Sequence, residues 1–292
     1  MKLFVTGAGG MVGSYVREVF SASELVLTDI IPGNESLDVR DAPAVSAAMQ
    51  RARPDVVLHL AAATDVDRCE REPEWAHASN AAGTRNVALA CQSIDVPLVY
   101  ISTGGVFDGE KREAYVESDT PNPLNVYAIA KLAGERAVAE LLPRSYIVRA
   151  GWMMGGGARD TKFVGKVVEL VAAGRTPLRA VADMTGTPTY AKDLLSGIAR
   201  LLATERYGVY HMGNEGVCTR YDMALALRDA LGRPDVRVDP VDASAFPASA
   251  PRGRSEAIRS EKLAALGITM RPWREALHEY VTRELAPRLR RG

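Results

Sequence analysis

Short, nearly continuous apolar runs alternate with longer amphipathic stretches along most of this chain. Continuous apolar runs are typical of strands covered on both faces, whereas a period of about 3.6 residues indicates helices packed on one side. The apolar runs predict strands at residues 3–5, 25–29, 55–60, 97–102, 145–149 and 207–212. The amphipathic stretches predict helices at residues 11–20, 42–51, 80–92, 126–142, 162–173, 193–203, 220–231, 261–266 and 273–285.

This alternation predicts an α/β fold with a doubly wound parallel sheet, the Rossmann arrangement. Residues 1–150 form the predicted NAD(P)-binding domain, and residues from about 186 to 213 are expected to return to it. The regular rhythm ends after residue 150, so we expect residues 151–292 to form mainly a smaller C-terminal lobe that binds the substrate. Within that lobe, residues 238–255 are rich in Pro, Ala and Ser and predict an irregular surface loop.

Charge and cysteine content exclude several classes of protein. The 292 residues carry 36 basic and 36 acidic side chains, so a general attraction to nucleic acid or an anionic membrane is not expected. Cys69, Cys91 and Cys218 stand singly, which disfavours disulfides and zinc, and we expect no metal site. No apolar run approaches the roughly 20 residues of a membrane span, and a strand begins almost at Met1, so we expect a cytoplasmic protein.

A glycine-rich loop directly follows the first predicted strand. Its sequence is Thr6-Gly7-Ala8-Gly9-Gly10-Met11-Val12-Gly13. In dinucleotide-binding folds the first glycine permits a sharp turn, the second lets the backbone approach a pyrophosphate, and the third lets a helix pack closely. Gly7, Gly10 and Gly13 have the spacing for these roles, and Met11 and Val12 open the predicted helix with unpaired amides. The loop therefore predicts a nicotinamide dinucleotide site.

The end of the second predicted strand bears on the choice of cofactor. Asp29 stands where a carboxylate accepts hydrogen bonds from the adenosine ribose and repels a 2′-phosphate. The two isoleucines that follow it supply no cation. The sequence thus favours NAD(H), with NADP(H) possible. Asp38 and Val39 are expected near the adenine, and Arg40 is the nearest cation able to bind a phosphate.

Two further predicted strands end in small or hydroxylated residues. In open α/β folds ligands bind at the carboxyl ends of the strands. Ala61, Ala62 and Ala63 follow one of these strands, and small side chains there let a cofactor lie against the backbone. Ser102 and Thr103 end the next strand, where a hydroxyl can bind a substrate carbonyl. We expect Thr103 to be catalytic and Ser102 to contribute to substrate binding.

Tyr127 and Lys131 lie one helical turn apart, on one face of the predicted helix at residues 126–142. Alone they suggest a solvated surface pair. Beside the glycine loop they predict transfer of a hydride and a proton to or from a carbonyl, with Tyr127 as the proton donor. A phenol titrates near pH 10, so the Lys131 ammonium is expected to lower the pKa of Tyr127 and to bind the nicotinamide ribose.

With these motifs the chain resembles the extended short-chain dehydrogenase/reductase family, and within it most closely the dTDP-4-dehydrorhamnose reductase group. The matching stretches lie at residues 53–57, 61–67, 70–73, 80, 101–103, 106–109, 117–135, 149, 152, 186–189 and 208–211. The resemblance implies reduction of the C4 ketone of a nucleotide-activated 6-deoxyhexulose, with Thr103, Tyr127 and Lys131 as the catalytic set. Members of the group use NADH, NADPH or both, and some relatives are dimers, so a homodimer is possible.

The resemblance also assigns contacts and shows where this chain differs. It implies a cofactor contact for Asn80 and substrate contacts for Gly104, Val106 and Trp152, besides Tyr127. The group usually has Asp-Tyr where this chain has Gly104 and Gly105. Residues 252–258 match the group's Arg-Pro-x-x-Ser-x-Leu stretch poorly. Both departures concern the sugar pocket, so the particular sugar stays open.

Two alternatives remain at this stage. A nucleotide-sugar epimerase of the same fold would retain its cofactor and show no net oxidation. A non-catalytic cofactor-binding subunit, like that of methionine adenosyltransferase, would not need Tyr127 and Lys131, and both are present.

Overall fold

The computed structural model describes residues 1–289. Its strands are β1 Lys2–Thr6, β2 Glu24–Asp29, β3 Glu35–Ser36, β4 Val56–His59, β5 Leu98–Thr103, β6 Ser145–Ala150, β7 Trp152–Met154, β8 Leu178–Val181, β9 Thr185–Gly186, β10 Pro188–Tyr190, β11 Gly208–Met212, β12 Cys218–Thr219, β13 Val238–Val241 and β14 Ser255–Glu256. Its α-helices are α1 Val16–Val19, α2 Ala42–Ala52, α3 Val66–Arg71, α4 Pro73–His77, α5 Gly83–Ser93, α6 Val126–Leu141, α7 Phe163–Ala172, α8 Ala191–Leu202, α9 Arg220–Ala230, α10 Lys262–Ala265, α11 Trp273–Tyr280 and α12 Ala286–Leu289.

Seven strands form one parallel sheet in the order β11-β6-β5-β4-β1-β2-β3. Both faces of the sheet are covered, since neighbouring residues of a strand enter different cores. In β1, Leu3 and Val5 lie in one hydrophobic core and Phe4 lies in the other. The strand order reverses between β1 and β4, which opens a crevice at their carboxyl ends. The predicted doubly wound fold is confirmed.

Four small pairings follow β6 and build the C-terminal part of the chain. β7 pairs with β10, β8 pairs with β13, and β9 lies between β12 and β14. β14 also contacts the segment that follows β5, because the Ser255 amide donates to the Gly109 carbonyl oxygen (3.2 Å). The strand β11 returns to the edge of the seven-stranded sheet. The division into a cofactor domain and a substrate lobe stays a prediction, and its last residues, 290–292, lie outside the described residues.

Three predicted elements need correction. The helix expected at residues 11–20 is regular only from Val16 to Val19, after a 3₁₀ turn at Gly13–Tyr15. The turn is tight because the Ser14 hydroxyl donates to the Met11 carbonyl oxygen (2.7 Å) and competes with the helical backbone pattern. The expected loop at residues 238–255 begins with β13 and ends in β14. The helix expected at 80–92 starts earlier, at Pro73, and passes through a π turn at Ala78–Ala82.

No helix in residues 1–289 is both long enough and apolar enough to span a bilayer.

Candidate active site

The glycine loop is shaped by close backbone contact and leaves donors unused. Gly7 has φ of 71°, and a Cβ there would lie 2.5 Å from the Ala61 nitrogen, so no other residue fits. A Cβ at Gly10 would have only one close neighbour, a carbonyl oxygen at 3.3 Å. The amides of Met11 and Val12 donate no hydrogen bond within the described chain. The loop therefore combines open space with free N–H groups, as a pyrophosphate requires.

The turn after this loop is fixed by close packing and by hydrogen bonds to later parts of the chain. A Cβ at Gly13 would lie 2.4 Å from the Ala8 carbonyl oxygen, so the third glycine is needed for packing. The Tyr15 hydroxyl accepts the N–H of Gly156 (2.6 Å) and donates to the Glu284 carboxylate (2.7 Å). Residues more than a hundred positions apart thus position the turn that follows the loop.

Asp29 lies at the predicted place, and its carboxylate is already well ordered. It is buried at the end of β2 and accepts the amides of Gly9 (2.8 Å) and Ile31 (2.9 Å). Each carboxylate oxygen retains a further acceptor site. Arg40, the cation expected to be nearest, is bound to Asp38 at 2.6 Å, and this hydrogen bond lowers the pKa of Asp38. The end of β2 thus presents a carboxylate, and the cation expected nearby is already paired.

Asn80 positions the backbone after β4, and its cofactor contact stays a prediction. Its side chain is completely buried, its Oδ1 accepts the Ala63 amide (2.8 Å), and its Nδ2 donates to the Ala63 carbonyl oxygen (2.9 Å). Both ends of the amide are therefore used in holding the backbone after β4. Ala61 and Ala62, which precede Ala63 in the segment after β4, remain partly exposed.

Two other residues with predicted contacts are buried. Val39 is buried and packs on the α5 backbone, where a Cβ at Gly83 would lie 2.8 Å from its Cγ2. Val106 is completely buried and packs with Phe107 and Tyr115. Val106 is thus a core side chain, whereas 7% of Val39 is exposed, and the predicted adenine contact of Val39 stays a prediction.

The start of α6, which carries Tyr127, is fixed by two caps. The Asn125 Oδ1 accepts the Ala128 amide (2.9 Å), and the Glu70 carboxylate accepts the Val126 amide (3.0 Å). Side-chain acceptors at a helix start satisfy amides that have no partner within the helix. The phenol of Tyr127 is therefore carried by a rigid first turn. Asn before a helix is a cap signal that sequence reasoning could have used.

Tyr127 lies beside Thr103, the predicted catalytic threonine, and beside Ala63, one of the three alanines predicted to contact the cofactor. It packs against Ala63, and burial raises its pKa, while hydrogen bonding to the neighbouring Thr103 hydroxyl acts in the opposite direction. The Thr103 hydroxyl oxygen also accepts the Gly105 amide (3.0 Å), so its own hydrogen is directed elsewhere. A raised pKa keeps the phenol protonated at neutral pH, which is the state a proton donor needs.

Lys131 does not have the expected influence on Tyr127. Its Nζ donates to the Ile101 carbonyl oxygen (2.6 Å) and stands 4.2 Å from the centre of the Tyr100 ring. Burial lowers the pKa of Lys131 to about 7, with Glu135 acting in the opposite direction. Lys131 is not among the groups that shift the Tyr127 pKa, which desolvation raises. Two N–H donors of Lys131 remain for other acceptors.

The strand end around Thr103 contains one orphaned hydroxyl and one open position. The Ser102 hydroxyl is buried and has no hydrogen-bond partner among the described residues. Gly104 is buried, and a Cβ there would lie 3.0 Å from the Ile258 Cγ2. A Cβ at Gly105 would meet only Thr103, at 3.3 Å from its hydroxyl oxygen. Space beside the catalytic hydroxyl is thus left by glycine.

Trp152 contacts two charged side chains, and its expected place along the sugar stays a prediction. Its Nε1 donates to the Glu256 carboxylate (2.7 Å). The Arg220 guanidinium carbon lies 3.7 Å from its ring centre, and a Cβ at Gly186 would lie 2.3 Å from its Cε2. The indole is therefore packed closely between the Arg220 guanidinium and the β9 backbone, with the Glu256 carboxylate on its N–H.

Residues 1–286 match the family described as RmlD substrate binding domain. This chain belongs to that family. It is 38% identical over 286 residues to the dTDP-4-dehydrorhamnose reductase of Mycolicibacterium smegmatis, covering 96% of this chain and 85% of the relative. The structure resembles a dTDP-4-dehydrorhamnose reductase from Clostridium acetobutylicum (TM-score 0.91, 34% identity, 97% and 99% of the two chains). It also resembles the Bacillus anthracis enzyme in complex with NADP (TM-score 0.90, 34% identity, 96% and 98%).

The predicted membership in the extended short-chain dehydrogenase/reductases, near the dTDP-4-dehydrorhamnose reductase group, is therefore confirmed. So is the predicted enzyme class, a nicotinamide-dependent oxidoreductase. Within residues 1–289 no three His, Cys, Asp or Glu side chains form a group suited to a metal ion.

Sequence reasoning did not single out two residues that meet Trp152. Glu256 lies in the stretch that matches the family poorly, in β14 beside β9, and its carboxylate accepts the Trp152 indole N–H. Arg220 follows a recognisable helix start, a capping box formed by Thr219 and Asp222, but that signal does not reveal where its side chain goes. Glu256 acts electrostatically on both Tyr127 and Arg220.

Proposed function

We propose that this protein is an NAD(P)H-dependent reductase of a nucleotide-activated 4-keto-6-deoxyhexose, like the dTDP-4-dehydrorhamnose reductases. The observation that carries the proposal is the meeting of Tyr127 and Thr103 beside Ala63, at the strand ends next to a glycine loop with free amides. The loop fits a dinucleotide, since its first glycine has no room for a Cβ. Family membership makes a nucleotide sugar the substrate class.

Each residue of the site has a role in this reduction. The nicotinamide, when bound, supplies the hydride to the carbonyl carbon. Tyr127 donates its proton to the carbonyl oxygen, so the C=O group becomes an alcohol and the phenol is left ionised. Thr103 is placed to hydrogen-bond the same oxygen, and Lys131 has donors for the ribose and for the phenolate.

The proposed activity is tested by incubating the protein with a panel of 4-keto-6-deoxy nucleotide sugars and either NADH or NADPH. We expect the absorbance of the reduced nicotinamide to fall continuously and the sugar product to carry an alcohol at C4. An epimerase would convert the sugar without net loss of reduced cofactor. A cofactor-binding subunit would bind NADH but oxidise none of it. Either of those results would contradict the proposed reductase.

NADH is the proposed preferred cofactor, and Asp29→Asn tests the choice. Asp29 presents a charge to the adenosine ribose, and Arg40 is already paired with Asp38. Charge-assisted hydrogen bonds contribute about 1.5–3 kcal/mol, so we expect the ratio of kcat/KM for NADH over NADPH to fall at least about tenfold in the variant. Asp41→Asn, which keeps a helix cap at an exposed position, is the control. An unchanged ratio in Asp29→Asn would show that another group sets the preference.

The homodimer and the substrate-binding role of the C-terminal lobe stay predictions.

A further inference from the structure

Arg220 is a cation held between two aromatic rings without an anionic partner. Its guanidinium carbon lies 3.7 Å from the Trp152 ring centre and 4.9 Å from that of Phe163. Its Nη1 points at the Met223 sulfur at 3.8 Å, a weak acceptor. In the described part of the chain no carboxylate oxygen lies within 4.0 Å of it. The side chain is therefore ordered by stacking, and its N–H groups lack good acceptors.

This environment differs from that of a structural arginine. Arg149, buried in the core, is bound through two nitrogens to Glu135 at 2.7 and 2.9 Å. Arg220 has five N–H donors and no such partner, and burial lowers its pKa to about 10. Glu256, the acidic side chain that acts most strongly on Arg220, accepts the Trp152 indole N–H at 2.7 Å. Arg220 is partly exposed, so its unpaired N–H groups can reach a ligand anion.

Neighbouring cations of this region are already engaged. Arg252, whose charge acts on Arg220, is paired with Asp67 at 3.2 Å. Lys162, next to Phe163 in the chain, donates to the Thr64 carbonyl oxygen at 2.9 Å. Glu256, whose carboxylate accepts the Trp152 indole N–H (2.7 Å), acts electrostatically on both Arg220 and Tyr127. The guanidinium stacked on Trp152 thus belongs to the same neighbourhood as the proposed proton donor, and its donors are available.

We propose that Arg220 binds the diphosphate that links the nucleotide to the sugar of the substrate. This inference rests on the proposed function, which requires a doubly charged linker near the reacting sugar. A planar guanidinium matches phosphate oxygens with two parallel N–H bonds, and stacking on Trp152 fixes its plane in advance. The cofactor's own pyrophosphate is assigned to the glycine loop, so it does not compete for this side chain.

The test compares thymidine 5′-diphosphate with thymidine as ligands of the wild type, Arg220→Met and Arg220→Lys. Affinities are measured by calorimetry in the presence of saturating reduced cofactor. We expect thymidine 5′-diphosphate to bind about 10- to 100-fold more weakly to Arg220→Met, with Arg220→Lys in between. Thymidine affinity is expected to stay within about twofold, since it carries no phosphate.

Reduced-cofactor affinity, measured by nicotinamide fluorescence, checks that each variant is folded and is expected to be unchanged. Equal thymidine 5′-diphosphate affinity in Arg220→Met and wild type would overturn the inference, and so would an equal loss for thymidine. Weaker cofactor binding would also overturn it, because the arginine would then serve the dinucleotide. If diphosphate binding depends on Arg220 but no keto sugar is reduced, the proposed function fails and the anion site stands.

Discussion

Tyr127→Phe is expected to lower kcat for keto-sugar reduction about 100- to 10,000-fold, the range in which positioned proton donors contribute. The variant loses only the hydroxyl, and the ring keeps its packing against Ala63 and Cys69. Cofactor affinity is therefore expected to change little, and the loss should appear in kcat. Initial rates and fluorescence titration with NADH separate the two quantities.

Tyr146→Phe is a matched control for the tyrosine experiment. Tyr146 is buried in β6, and its hydroxyl makes no hydrogen bond to any described residue. It lies near the start of β6, at the amino ends of the parallel strands and therefore away from their carboxyl ends. We expect this variant to retain wild-type kcat. A Tyr127→Phe variant with a rate close to that of Tyr146→Phe would remove Tyr127 from the mechanism.

Arg149→Met is expected to destabilise the protein by about 3–5 kcal/mol, because it leaves the Glu135 carboxylate buried without its partner. Both side chains are 5% exposed, and they share three nitrogen–oxygen hydrogen bonds at 2.7, 2.9 and 3.2 Å. Arg149 also lies 3.5 Å from His211 and 5.3 Å from the Phe107 ring centre. The free energy of unfolding is measured by urea denaturation.

The double variant Arg149→Met/Glu135→Leu shows why Arg149→Met destabilises the protein: because an attraction is lost, or because the Glu135 charge is left unpaired. Replacing both partners by apolar residues of similar volume removes the buried charge, so we expect much of the lost stability to return. Arg233→Met breaks an exposed pair with Asp235 at 2.7 Å and is expected to leave the urea midpoint nearly unchanged. A double variant as unstable as Arg149→Met would mean that packing, rather than charge, dominates at this position.

The elements around the cofactor illustrate what local patterns can predict. Gly7 is required by the backbone itself, since it combines a positive φ with an approach that excludes a Cβ. Asp29 and Thr103 each end a strand, and parallel strands bring their carboxyl ends to one edge. Such residues are found from sequence because their roles depend on neighbours within a few positions.

Side-chain exposure was predicted less well, even beside correctly placed motifs. Asn80 was expected to touch the cofactor, a contact that stays a prediction, and it holds the Ala63 backbone with both ends of its amide. Val39 and Val106 were expected at ligands, and both side chains are buried. Lys131 was expected to act on Tyr127, but desolvation dominates the pKa values of both. Burial depends on what packs over a residue, and sequence spacing does not contain that information.

The sequence by itself determined the doubly wound sheet, the glycine loop and the pairing of a phenol with a strand-end hydroxyl. Those features follow from hydrophobic periodicity and from short-range backbone constraints. Only the tertiary structure decided that Arg220 and Glu256 meet Trp152. These three residues are separated by dozens of positions and come together through the pairing of β9 with β12 and β14. Such contacts arise from chain segments that meet only on folding, so no local pattern encodes them.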